Sequence, residues 1–172
     1  MMNKEILLIF LVSIIFCLIY SLHFKKKKVN RVLARNEYFS EKQKIPKIIH
    51  MCFKTKKDVP KKVFKLWKKL NPEYKLNFSD DKQCYNFLKN NFSIEYAKYF
   101  NEIPWGPIKA DFWRLCVLYI HGGVYADIDL KPLKPLSDII NKNTTFSSCL
   151  NINGNHIFQA YIASTPKNNI LK

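Results

Sequence analysis

The chain has 172 residues, a length that suits one domain, and 48% of them are apolar, enough for a core even with one membrane segment set aside. A net charge of +16 fits an anionic membrane, a phosphorylated substrate or nucleic acid, and equally the Lys-, Asn- and Ile-rich usage of an AT-biased genome. No compact Arg-rich reader motif occurs, so no nucleic-acid partner is expected. The five cysteines, Cys17, Cys52, Cys84, Cys116 and Cys149, are widely spaced, odd in number and free of any CxxC pair. That argues against a zinc site and a dense disulfide framework, and leaves open a single bridge among the last four.

Residues 6–22 carry no charge. As a helix they reach about 25 Å, close to the ~30 Å hydrocarbon core, and Tyr20, His23 and Phe24 suit the interface. A cleaved signal peptide competes with this reading. The length of the run and the lack of a small-residue cleavage site before Lys25 favour an uncleaved anchor. The expected layout is a short tip and anchor over 1–24, a basic stem over 25–44 and a folded domain over 45–172. Lys25 to Lys28, Arg31 and Arg35 follow the span, so the positive-inside rule places the bulk of the chain in the cytoplasm.

Residues 45–53, IPKIIHMCF, read as a strand buried on both faces and interrupted by His50. Alone in a strand, a His is more often a hydrogen-bonded structural residue than a ligand. Residues 59–70 place Val63, Leu66, Trp67 and Leu70 at helical spacing with lysines opposite, and Asn71–Pro72 closes the helix. A short strand over 74–78 follows. Asp80 and Asp81 suit the N-cap of the next helix better than a metal pair. Two short helices are expected over 82–90 and 93–100, and two strands over 146–150 and 157–164.

The chemistry concentrates in residues 107–136. Residues 108–120 have helical periodicity, and Asp111 and Arg114 are i,i+3 neighbours. On a helix surface such a pair contributes only a few tenths of a kcal/mol. In a helix this apolar, Asp and Arg together suggest a polar clamp for sugar oxygens. His121–Gly122–Gly123 stops the helix, since glycine supplies a left-handed cap. A strand over 124–128 then puts Tyr125, Asp127 and Asp129 on one face. Paired carboxylates past a strand's carboxyl end lie where open α/β sheets bind ligands. Their hard oxygens suit Mg²⁺ or Mn²⁺ on a diphosphate.

D-x-D alone is a weak motif. With the Asp–Arg helix, the Gly-Gly turn, the preceding Tyr125 and the following KPL it becomes specific. KADFWRLCVLYIHGGVYADIDLKPL resembles the signature of the DXD-containing sugar transferases of glycosyltransferase family 32, which includes the fungal initiating α-1,6-mannosyltransferases. IPKIIHMCF resembles the family's opening strand, the segment around Trp67, Asn71–Pro72 and Tyr74 its next block, and residues 158–166 a later one.

The resemblance implies an α/β fold of the GT-A type, a Rossmann-like nucleotide-sugar-binding sandwich preceded by one transmembrane helix. It implies a hexosyltransferase that moves a sugar from a UDP- or GDP-sugar to a glycan, glycolipid or glycoprotein with retention. Mn²⁺ is the usual metal and Mg²⁺ the second choice. Asp129 matches the direct metal ligand, and Asp127 the carboxylate facing metal and donor. Asp111 and Arg114 match donor-sugar contacts. Ile48 and His50 lie on the strand flanking the base, and Tyr125 packs near the nucleotide. No catalytic base is assigned. Type II anchors in Golgi or ER membranes are common in the family, opposite to the orientation that the Lys-rich flank indicates. Met51-Cys52-Phe53 stands where Gln-Ile-Trp is usual, and Gln159 where Asn is common. Members of the family carry a further carboxyl-terminal portion that shapes the acceptor pocket, so these 172 residues are expected to be a fragment, to be completed by a second chain or to be a degraded homologue. A non-catalytic membrane-tethered homologue that binds nucleotide-sugar or anionic lipid is one alternative. A phosphatase of the haloacid-dehalogenase type, which also places D-x-D after an apolar strand, is the other.

Overall fold

A computed structural model describes residues 44–172 of the chain. The expected anchor over 6–22 and nearly all of the stem lie outside the described residues. Among the described residues no helix is long and apolar enough to cross a membrane.

The elements run β1 (Ile48–Cys52), α1 (Lys61–Leu70), β2 (Lys75–Ser79), α2 (Asp81–Asn91), α3 (Ile94–Glu102), α4 (Gly106–His121), β3 (Gly123–Ala126), β4 (Phe146–Leu150) and β5 (Ile157–Ser164). They form one mixed sheet in the order β2-β1-β3-β5-β4. The pairs β2–β1 and β1–β3 are parallel, while β3–β5 and β5–β4 are antiparallel. β3 is central and wholly buried, as its run of Gly, Val, Tyr and Ala requires.

The two-residue period of the strands sorts the core into two layers. Ile49, Met51, Val124, Ala126 and Ala163 pack with Trp67 of α1. Tyr125 and Ile162 face the other way, onto Trp113 and Val117 of α4 and Leu88 of α2. Helix ends are set by short polar side chains. Asp80 Oδ1 accepts from the Gln83 N–H at 2.8 Å, and Gln83 Oε1 accepts from the Asp80 N–H at 2.9 Å, a reciprocal cap. Asp81 pairs with Lys109 at 3.2 Å. The Asp80–Asp81 pair is therefore a helix start. Asn71, fully buried, ends α1: its side chain donates to Trp67 O at 3.2 Å and accepts from the Leu136 N–H at 2.7 Å. That bond ties the end of α1 to the segment that follows the carboxylates. Cys52, Cys84, Cys116 and Cys149 are free thiols.

β3 ends at Ala126, two residues earlier than the alternation predicts. The Asp127 N–H still pairs with Ala160 O at 2.9 Å, but the Leu130 N–H then bonds back to Asp127 O at 3.1 Å and closes a turn over 127–130. Trp67 Nε1–H donates to Leu130 O at 3.1 Å and draws the turn toward α1. Tyr125 and Asp127 keep the alternation of the strand, whereas Asp129 sits in the turn.

Gly122 and Gly123 make the reversal from α4 into β3, with φ of 61° and 100°. A Cβ on Gly123 would lie 2.7 Å from Ile48 O, and one on Gly122 2.7 Å from the Pro166 ring. Both the backbone conformation and the space exclude a side chain. Gly123→Ala is expected to destabilise the domain by about 2 kcal/mol or more. Urea unfolding of the variant beside the parent measures it.

Candidate active site

β1 and β3 run parallel and adjacent, so their carboxyl ends open on the same edge of the sheet. Cys52 and Phe53 leave β1 there, and Asp127 leaves β3. This is the edge at which α/β sheets bind ligands. α4 runs back across the sheet and brings Arg114 to the same place.

Arg114 is the centre of the site. Its side chain is only 4% exposed, and a guanidinium cannot shed its charge by titration. It must find carboxylates, and it finds two. Nη2 lies 2.6 Å from Asp111 Oδ1 on its own helix and 3.5 Å from Asp127 Oδ1 across the turn. Its Nε–H donates to Ala110 O at 3.3 Å. The guanidinium carbon stands 4.6 Å from the centre of the Tyr125 ring, a cation–π contact in a dry environment. Tyr125 Oη–H donates to Asp127 Oδ1 at 2.6 Å. Burial above all, and then the neighbouring Cys52 and Asp127 side chains, push the Tyr125 phenol upward, so it remains the donor. Asp127 is thus fixed by two donors while its carboxylate stays 29% exposed.

Asp129 is exposed and, among the described residues, makes no hydrogen bond or ion pair. It is a carboxylate presented on a turn without a protein partner. No group of three or more His, Cys, Asp or Glu side chains suited to a metal comes together among the described residues. The carboxylates offered are two. Mg²⁺-type sites commonly use one or two protein carboxylates and take the rest from phosphates and water, so the donor set fits a metal shared with a diphosphate.

Ile48 and His50, expected on the strand that flanks the base, both lie in β1, and their own contacts are with the Gly-Gly turn. His50 is 1% exposed. Its Nε2–H donates to Gly122 O at 3.0 Å, and its Nδ1 faces the Asn77 side-chain amide at 3.3 Å. Both ring nitrogens are committed. Ile48 opens β1 at the edge opposite Asp127, with its carbonyl against Gly123. The two residues hold the Gly-Gly turn. Cys52 and Phe53, which in the sequence are only departures from the Gln-Ile-Trp usual in the family, stand at the ligand edge. Cys52 Sγ lies 3.7 Å from Tyr125 Oη, and Phe53 is 40% exposed just beyond β1. The signal that could have found them is position, at the carboxyl end of a strand parallel to β3.

The family described as the glycosyltransferase sugar-binding region containing DXD motif matches residues 46–146. The chain belongs to this family. Its relatives include an uncharacterised glycosyltransferase of Acanthamoeba polyphaga mimivirus, 35% identical over 108 residues that cover 60% of this chain and 43% of the relative. They also include the initiation-specific alpha-1,6-mannosyltransferase of Candida albicans, 34% identical over 61% of this chain and 29% of the enzyme. The inositol phosphoceramide mannosyltransferase 3 of Schizosaccharomyces pombe is 30% identical over 63% of this chain and 32% of the enzyme. The chain thus spans less than half the length of these relatives. Among solved structures, the PaToxG glycosyltransferase shares the fold, with a TM-score of 0.54 and 21% identity over 84% of this chain and 65% of the other. Family membership favours a transferase over the phosphatase alternative, which nothing in the comparisons supports.

Two stability effects follow from this geometry. Burial above all, and the nearby His121, lower the His50 pKa to about 4 from 6.5, against the raising effect of its bond to Gly122. The unfolded chain therefore binds a proton that the fold rejects between those values. Stability rises with pH across that window, and acidification from pH 6.5 to 4 removes on the order of 3 kcal/mol. In His50→Gln that share of the pH dependence should vanish, as unfolding at pH 7 and pH 4.5 would show. Arg114→Ala should cost about 3 kcal/mol, because it strands Asp127 in a partly buried position. The additional change Asp127→Asn should restore part of that loss in a double-mutant cycle.

Proposed function

We propose that residues 45–172 form the donor-binding part of a metal-dependent hexosyltransferase with a GT-A-type fold, taking a UDP- or GDP-sugar and acting with retention. The observation that carries the reading is the Arg114–Asp127–Tyr125 cluster beside the uncommitted Asp129, on the ligand-binding edge of the sheet. In this reading Asp129 is the direct metal ligand. Asp127, oriented by Tyr125 and Arg114, faces both metal and donor. Asp111 is already engaged by Arg114 but is 47% exposed, which suits an acceptor of sugar hydroxyl hydrogen bonds. Arg114 then acts as a positioning residue that fixes two carboxylates with one charge. Phe53 offers a flat apolar face at the same edge for a nucleotide base.

A divalent metal, Mn²⁺ by family habit or Mg²⁺, would supply counter-charge for the departing diphosphate. The chain's own contribution is orientation: a rigid turn, a buried cation and carboxylates whose oxygens are pre-aimed. The acceptor is a glycan, glycolipid or glycoprotein. The named fungal relatives are mannosyltransferases, which supports a hexose on the donor. The layout that goes with this reading is an anchor over 1–24 and a stem over 25–44 in a single-pass Golgi or ER membrane.

Equilibrium binding of UDP and GDP, with and without Mn²⁺, tests the reading. At least one nucleotide should bind the parent in a Mn²⁺-dependent way. Asp127→Ala/Asp129→Ala should lose at least about tenfold in affinity, which corresponds to 1.4 kcal/mol. Binding that ignores the metal, or that survives in the double variant, would overturn it. Turnover of the sugar nucleotide separates an enzyme from a homologue that only binds.

A further inference from the structure

Four free thiols lie among the described residues, and their surroundings differ. Cys149 is exposed on β4, the edge strand of the sheet. Cys116 is buried in α4, where burial pushes its thiol up to about 12. Cys52 and Cys84 are the pair that the fold brings together. Cys52 closes β1 and stands in register with Ser79, the last residue of β2. Cys84 lies in the first turn of α2, and its Sγ reaches back to Ser79 O at 3.9 Å. The two thiols thus converge on one residue, one from a strand and one from a helix, and they are hydrogen-bonded to each other. Both pack in the α4 layer of the core. Spacing in the sequence leaves open a bridge between any two of the last four cysteines. Packing selects Cys52 with Cys84.

The pair is placed asymmetrically. Cys84 is buried, whereas Cys52 is half-buried at the end of β1 that opens on the ligand edge. A disulfide from solution therefore meets Cys52 first, since access governs which thiol reacts. The hydrogen bond with Cys52, and then burial, push the Cys84 thiol upward. Capture of Cys52 removes the first of those causes. Cys52 Sγ also lies 3.7 Å from Tyr125 Oη. The oxidation state of Cys52 therefore alters the surroundings of the phenol that orients Asp127.

We propose that Cys52 and Cys84 are a redox-active dithiol, which a small disulfide of the glutathione class closes to a bridge between the end of β1 and the first turn of α2. The Cys52 thiolate attacks one sulfur of the small disulfide, a mixed disulfide forms and one small thiolate leaves. The Cys84 thiolate then attacks Cys52 Sγ, the protein disulfide forms and the second small thiolate leaves. The leaving thiolates take up the two protons that the cysteines gave up. The protein loses two electrons and the small disulfide gains them. The bridge removes the Cys52 thiol hydrogen from beside Tyr125 Oη and ties the ligand edge of β1 to α2. That this tunes donor binding rests on the transferase reading above; formation of the bridge does not.

Peptide mapping tests the bridge without nucleotide or metal, so its outcome and that of the nucleotide-binding experiment are separate. The full chain, reduced and freed of reductant, is incubated under native conditions with 2-hydroxyethyl disulfide. Remaining thiols are alkylated in urea, and unreduced tryptic peptides are read by mass spectrometry. Cys52 falls in the peptide IIHMCFK and Cys84 in QCYNFLK. These two should appear cross-linked at least about tenfold more than any other cysteine pair, because the second step is intramolecular. Dithiothreitol should return both as thiols. In Cys84→Ser the reaction should stop at the mixed disulfide on Cys52. The proposal is overturned if the parent itself stops there, or if Cys52 is recovered as the free thiol while Cys149 is converted. Pairing of Cys52 with other cysteines as often as with Cys84 overturns it too. These outcomes are all read on the parent chain, so they decide the matter even where Cys84→Ser fails to fold.

Discussion

A guanidinium almost without water is the constraint on which the site depends. Arg114 carries a permanent charge into the interior of an α/β domain, where an unpaired charge is very costly. The fold answers with a carboxylate from the same helix, a carboxylate from beyond β3 and the face of Tyr125. Each answer places something. Asp111 fixes the rotation of α4, Asp127 fixes the exit of β3, and Tyr125 fixes the distance between them. The carboxylates are pre-aimed because the cation leaves them little choice.

That arrangement requires α4 to deliver its chain into β3 within two residues. The reversal at Gly122 and Gly123 does this, and it is closed from three sides. Ile48 O and the His50 ring press on Gly123, the Pro166 ring and Ser164 O press on Gly122, and His50 binds Gly122 O. A neutral, buried His50 is thus part of the mechanics of the turn. Burial keeps the ring neutral by lowering its pKa to about 4. β1 therefore serves the site twice, with its first residues against the turn and its last ones at the ligand edge.

Much of this was legible in the sequence. Helical spacing of Val63, Leu66 and Trp67, the polar cap at Asp80 and the Gly-Gly stop each report a local rule, and each element formed close to where the rule puts it. The Asp111–Arg114 pair was also local, three residues apart on one helix. What could not be read was tertiary. The contact of Arg114 with Asp127 depends on how α4 crosses β3. The early end of β3 depends on Trp67, sixty-three residues before Leu130, donating to its carbonyl. Asn71 looked like a simple helix stop, yet its side chain also holds Leu136. His50 looked equivocal because burial, which decides its role, is a property of the packed sheet.

In the proposed reading the donor is held at two places: Asp127 and Asp129 take the metal and diphosphate, and Asp111, fixed by Arg114, takes the sugar. Calorimetric titration with a nucleoside diphosphate and with its sugar conjugate, in Mn²⁺, tests that division most directly. The parent should bind the conjugate more tightly than the bare diphosphate, and Asp111→Ala should erase the difference while leaving the diphosphate affinity within about twofold. A variant that weakens both ligands equally, or neither, would contradict it.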